Sequence, residues 1–185
     1  MADGEVNDSF KVIYEENIDL LYSYGISLGF GKEQCMDAIQ DVFCKLFINN
    51  KEFSYINNIR FYLLKSLKNR LLDIVKKNKR ENPESKITIS DFPVEISFIE
   101  SIIDKEEREF IKMRINSLMA QLTPNQREAI YLRYMQELEY DEIAKLLNIT
   151  PESCRKMVYR AMERLRSRTN LNIALIIALF FQGNF

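Results

Sequence analysis

The stretch from Tyr140 to Arg166, YDEIAKLLNITPESCRKMVYRAMERLR, constrains the fold more tightly than any other part of the chain. Ile143, Leu146 and Leu147 recur at helical spacing, with the small Ala144 beside them where a second helix can cross closely. Asn148 then breaks the pattern, and Asn tolerates the left-handed conformation in which helices often stop. Thr150 followed by Pro151 is a start signal: Thr caps, and Pro fits the first helical position, whose N–H would be unpaired anyway. At about 100° per residue, Cys154, Val158, Ala161 and Leu165 fall on one narrow stripe. Glu152, Lys156, Tyr159 and Arg160 fall roughly opposite, with Ser153 and Arg155 on the flanks. From Pro151 to Arg168 six Lys/Arg stand against two acids, Glu152 and Glu163. A basic helix alone can be an ordinary solvated face. Paired helices, a short turn and a capped second helix favour a helix-turn-helix that reads DNA.

Charge elsewhere is segregated, so the overall −1 is misleading. Residues 1–50 hold three Lys/Arg and nine Asp/Glu, net −6; residues 57–80 hold eight and one, net +7; residues 81–109 hold three and nine, net −6. A nucleic-acid protein need not be basic overall if its contact faces are. Long helical periods dominate and period-two strands are few, which gives an all-α class. The 185 residues allow one or two small domains, each with a real core.

The same residues exclude most chemistry. There is no His, so metal catalysis by His ligands and Ser–His or Cys–His pairs are ruled out. Cys35, Cys44 and Cys154 are odd in number and lack zinc-site spacing; they point to a reducing compartment and buried thiols. There is no Gly-rich phosphate loop. The start, MADGEVNDSF, lacks the basic and apolar segments of a signal peptide, so a cytoplasmic protein is expected. The chain reads as a non-enzyme with no catalytic residue, metal, cofactor or small-molecule substrate.

A second basic segment precedes the first. Residues 36–48, MDAIQDVFCKLFI, form an amphipathic helix with Ile39, Val42, Phe43 and Leu46 on one face and Asp37, Gln40 and Asp41 on the other. After the polar connection Asn49 to Asn58, with Phe53 and Tyr55, a long helix is expected over about Ile59 to Lys79. Leu64, Leu67, Leu71 and Ile74 supply its buried stripe, and Lys65, Lys68, Arg70, Lys76, Lys77, Lys79 and Arg80 surround the rest. Long basic side chains can simply keep a bundle soluble, but +7 over 24 residues looks like a phosphate track. Phe53, Tyr55, Phe61 and Tyr62 are candidates for stacking on unpaired bases, with core packing the commoner fate of such aromatics.

These readings divide the chain into a helical domain at 1–80, an acidic linker at 81–105 interrupted by Pro83 and Pro93, a helix-turn-helix domain at 106–169, and an apolar tail at 170–185. A helix from about Glu106 to Gln121 opens the second domain, and Thr123-Pro124-Asn125-Gln126 reads as a capping box. The tail's apolar core, of about eleven residues, is too short for a membrane span. A terminal helix packed on its own domain, a docking site for a regulator, and membrane-surface binding remain open for it.

At this point the sequence resembles the extracytoplasmic-function (ECF) sigma factors of the sigma-70 family, over about residues 10–80 and 106–168. LTPNQREAIYLRYMQELEYDEIAKLLNITPESCRKMVYRAMERLR is similar to the family's region 4; DAIQDVFCKLF resembles its region 2 core helix, and FYLLKSLKNRLLDIVKKNKR the helix that follows. The resemblance implies binding to core RNA polymerase and promoter DNA, with an anti-sigma factor as a further partner. It implies reading of the minus-35 element by Thr150, Glu152, Ser153, Arg155, Lys156, Tyr159 and Arg160. It implies reading and opening of the minus-10 element by Phe53, Tyr55, Lys65, Lys68, Asn69, Arg70, Lys76, Lys77 and Arg80, and polymerase binding by Asp37, Gln40 and Asp41. The acidic linker would thread near the RNA path. Asn148 stands where the family often has Gly, Met157 where a basic residue is common, and there is no Trp. The alternative is a stand-alone helix-turn-helix regulator that binds duplex DNA without polymerase; it would not need the region-2-like half.

Overall fold

In a computed structural model, the described residues are 2–49, 56–81, 113 and 117–167. Those in elements are helical, and no strand occurs among them. The chain divides into two units, Met1–Pro93 and Val94–Phe185.

The first unit holds α1 (Ala2–Ser27), α2 (Lys32–Asn49) and α3 (Ile59–Glu81), each packed on the other two. The apolar stripe expected on α2 is buried throughout: Ile39, Val42, Phe43 and Leu46. It meets Leu21 and Tyr24 of α1, Leu28 just beyond that helix, and Leu63, Leu64, Leu67 and Leu71 of α3 in one core. The α3 stripe departs from expectation at its far end. Ile74 is half-buried, and Val75 is buried in its place. A stripe that steps 64, 67, 71 continues at i+4, because 3.6 residues make a turn. Asn58 caps α3, its Oδ1 accepting from the Phe61 N–H at 3.0 Å.

The α1–α2 corner depends on Gly25. A Cβ there would lie 2.7 Å from Cys35 Sγ, so only Gly lets the two helices approach this closely. Gly29 then turns the chain with φ 88°. Burial pushes the Cys35 thiol from 9.0 up to about 11, which keeps it a neutral packing group.

The second unit holds α4 (Pro124–Ile130), a π-helical turn (Tyr131–Met135), α5 (Tyr140–Leu147) and α6 (Pro151–Ser167). Thr123 makes the expected capping box: its Oγ1 accepts from the Gln126 N–H at 3.4 Å, and Gln126 Oε1 accepts from the Thr123 N–H at 3.0 Å. The π turn was not legible in the sequence. It closes with the Gln136 N–H on the Tyr131 carbonyl, 3.2 Å, reinforced by Gln136 Nε2 donating to the buried Tyr131 hydroxyl at 3.0 Å. Glu137 follows in the left-handed region at φ 55°. Asn148 ends α5 at φ 55°, ψ 48°, as its type suggested, and the Ile149 N–H closes on the Ala144 carbonyl at 3.0 Å. The inward stripe of α6 is buried as expected, Cys154, Val158, Ala161 and Leu165, joined by Met162.

The acidic linker, most of the helix expected at 106–121, Phe53, Tyr55 and the apolar tail lie outside the described residues.

Candidate nucleic-acid interface

The α6 cap and face are built locally. The Ser153 N–H donates to Thr150 Oγ1 at 3.2 Å, and the Thr150 hydroxyl donates to Ser153 Oγ at 2.8 Å. With Cys154, Val158 and Leu165 turned inward, Thr150, Glu152, Ser153, Arg155, Lys156, Tyr159 and Arg160 are all exposed. Tyr159 is a large ring left 66% exposed. Such an apolar surface with a polar tip suits a base edge or a sugar.

Two of the expected contacts are engaged within the chain. Lys156 Nζ pairs with Glu152 Oε1 at 2.6 Å, one turn away. An exposed pair of this kind is worth about 0–1 kcal/mol, so exchanging it for a phosphate oxygen costs little. Arg155 leans back towards α5, its Cζ 5.7 Å from the Tyr140 ring centroid and its guanidinium 4.0 Å from Asp141 Oδ1. The same ring receives Arg133, Cζ at 4.7 Å. Arg133 itself donates to the Leu138 carbonyl at 2.8 Å and to Glu139 Oε1 at 3.1 Å. Burial works against the Arg133 charge, but the Glu139 hydrogen bond and charge outweigh it and hold the guanidinium above its usual pKa. Arg133, Tyr140 and Asp141 were not singled out from sequence; the spacing Glu139-Tyr140-Asp141 before a basic helix was the available signal.

On α3, Lys65, Asn69, Lys76, Lys77 and Arg80 are exposed. At 100° per residue Lys65, Asn69, Lys76 and Arg80 fall within about 60° of one another, a single basic track along the helix. Lys68 is different: it is only 9% exposed and so offers little surface to DNA. Arg70 points towards α2. Its Nε donates to Asp41 Oδ2 at 2.6 Å, and its Nη2 lies at the same distance. Two residues that the sequence assigns to different partners thus form one ion pair. Phe61 and Tyr62 are half-buried, and Lys65 Nζ lies 5.7 Å from the Phe61 ring centroid.

On α2, Asp37 and Gln40 are exposed and Asp41 is half-exposed. Beside them, between α1 and α2, runs an apolar groove of about 540 Å³, whose lining includes Phe10, Tyr14, Met36, Phe43, Phe47 and Ile48. Phe10 and Phe47 pack edge to face with centroids 5.1 Å apart, yet Phe47 stays 49% exposed and Ile48 72%. The groove extends the acidic face with apolar surface that reading the opposite helix face alone had missed.

Comparison with known proteins bears on both halves. The family profile described as "Sigma-70, region 4" matches residues 112–165. The chain is 26% identical to the ECF RNA polymerase sigma factor SigM of Bacillus subtilis over 161 residues, which is 87% of this chain and 95% of that protein. The chain is thus similar to sigma-70 region 4 over its second unit and to an ECF sigma factor along most of its length. A second relative is RNA polymerase sigma factor SigA2 of Synechococcus elongatus, 38% identical over 72 residues, 37% of the chain and 22% of that larger protein. The fold is shared with solved sigma structures. RpoE of Bartonella quintana, crystallised with the anti-sigma factor NepR, matches at TM-score 0.61 and 21% identity, covering 86% of this chain and 95% of that one. CnrH, solved with the cytosolic domain of CnrY, matches at TM-score 0.55 and 16% identity, covering 90% and 92%.

Among the described residues no group of three or more His, Cys, Asp or Glu is placed to hold a metal ion, and no helix is long and apolar enough to cross a membrane.

Proposed function

We propose that this chain is a sigma factor that divides promoter recognition between its two units. The first docks on core RNA polymerase through Asp37, Gln40 and the adjoining apolar groove, and engages the minus-10 element through the α3 track of Lys65, Asn69, Lys76, Lys77 and Arg80. The second lays α6 in the major groove of the minus-35 element, where Ser153, Arg155, Lys156, Tyr159 and Arg160 face the DNA. The observation that carries this reading is the coexistence of a capped, outward-basic α6 with an α2 that exposes Asp37 and a basic α3, in a chain that matches 95% of SigM's length.

The physics suits this division. Phosphate contacts from lysines and arginines set register, while a few side chains in the major groove specify bases. Opening the duplex asks for no catalytic residue. It asks for a surface that binds unpaired bases better than paired ones and so offsets the few kcal/mol of unstacking. Phe53 and Tyr55 belong to that surface in this reading. Lys68 adds little to it, and Arg70 acts from within its pair with Asp41. Work on promoters places the protein in the cytoplasm. An anti-sigma factor completes the set of partners, a role supported by the complex in which RpoE was solved.

Asp37 tests the polymerase half. Asp37→Lys is expected to lower affinity for core RNA polymerase at least about tenfold, by setting like charge against like at the interface. Helicity by circular dichroism should stay unchanged, because Asp37 is exposed. Undiminished capture of the polymerase by a normally folded variant would remove α2 from the interface.

A further inference from the structure

We propose that Tyr140 is a positioning residue for duplex recognition: its ring holds the Arg155 guanidinium ready to read a base edge, and so sets sequence specificity through Arg155. The inference rests on the α6 reading above and deepens it. Tyr140 opens α5, the helix before the reading helix, and is half-buried. Its ring carries Arg133 at 4.7 Å and Arg155 at 5.7 Å, both within the roughly 6 Å at which a guanidinium is attracted to an aromatic face. Arg133 is the fixed member, bonded to the Leu138 carbonyl and to Glu139. Arg155 is the less tightly bound member, with the Asp141 carboxylate 4.0 Å away as a second, weaker restraint. The acids at 139 and 141 therefore each balance one of two cations that share a ring.

The manner of restraint matters. Lys156 is held by a hydrogen bond to Glu152, which must break before that ammonium can donate elsewhere. Arg155 is engaged, among the described residues, by the Tyr140 ring and by the 4.0 Å approach to Asp141. Neither contact occupies its N–H donors as a hydrogen bond does, and these are the donors a bidentate contact to guanine O6 and N7 requires. A long arginine side chain otherwise loses much rotamer freedom on binding, and a ring that pre-orders it removes part of that cost.

The test uses the full chain loaded on core RNA polymerase and a promoter-duplex library randomised across the upstream element, with bound duplexes sequenced. Tyr140→Leu keeps apolar bulk in the half-buried position. It is expected to flatten base preference about two- to fivefold, the size of an exposed cation–π contact, at the positions that Arg155→Ala flattens. Affinity for unselected duplex should move less than about twofold. Tyr140→Phe, which retains the ring, should match the wild type, and the Tyr140→Leu/Arg155→Ala double variant should match Arg155→Ala alone. The proposal is overturned if Tyr140→Leu leaves the preference intact or weakens all duplexes equally. Losses that add to those of Arg155→Ala overturn it too, as does failure of Tyr140→Phe to restore the preference. A wild type that selects no upstream base overturns the α6 assignment itself, and this inference with it. A selective wild type with an indifferent Tyr140→Leu overturns this inference alone.

Discussion

Glu137 sits in the left-handed region at φ 55° with its side chain exposed, directly after the π turn. A residue with a Cβ pays for that conformation, where Gly does not. Asn148 adopts the same φ at the end of α5, but Asn is among the few types suited to it. Glu137→Gly is therefore expected to stabilise the second unit by about 0.5–1 kcal/mol, net of the entropy Gly gains when unfolded. Urea unfolding measures this directly; a lowered midpoint would show that the Glu side chain contributes more than its backbone costs. The side chains proposed to face DNA obey a different logic. Lys156 and Arg155 are engaged within the chain, by Glu152 and by Tyr140 with Asp141, but in exposed contacts weak enough to yield to another partner.

Among the elements, the second unit depends on its caps. Two of its helices are short, eight residues in α5 and seven in α4, and helices of that length do not persist unaided in water. Thr123→Ala removes the side-chain half of the α4 capping box and is expected to cost about 1 kcal/mol. A thermal melt of the full chain should show that loss; an unchanged melt would mean that packing alone holds α4. These caps were legible because they depend on residue type at fixed offsets. Thr123-Pro124, Thr150-Pro151 and Asn148 announced the helix ends, and the stripe Cys154, Val158, Ala161, Leu165 gave the orientation of α6. The π turn was not legible, since its hydrogen bonds depend on Gln136 meeting the Tyr131 hydroxyl in space. The Arg70–Asp41 pair was hidden for the same reason: 29 residues separate its members, and only the packing of α3 on α2 unites them. The burial of Lys68 was not legible either, because charge is no guide to which side of a crowded helix a long side chain lies on.

At the scale of the molecule, segregated charge is the organising property. An acidic α2, a basic α3 and a basic α6 coexist in a chain of net charge −1. In the reading proposed above, each unit alone holds only part of the promoter contact. Joined in one chain, they can recognise a promoter and the polymerase together, with effective concentration replacing intrinsic affinity. The most direct measurement is transcription in vitro from genomic templates with core RNA polymerase and the purified chain. Discrete, factor-dependent starts are expected. Reversing Arg155, Lys156 and Arg160 to Glu should abolish those starts while leaving the polymerase-bound fraction unchanged. No factor-dependent start on any genomic template, alongside protected duplex sites for the protein without polymerase, would contradict it and leave a stand-alone DNA-binding regulator in its place.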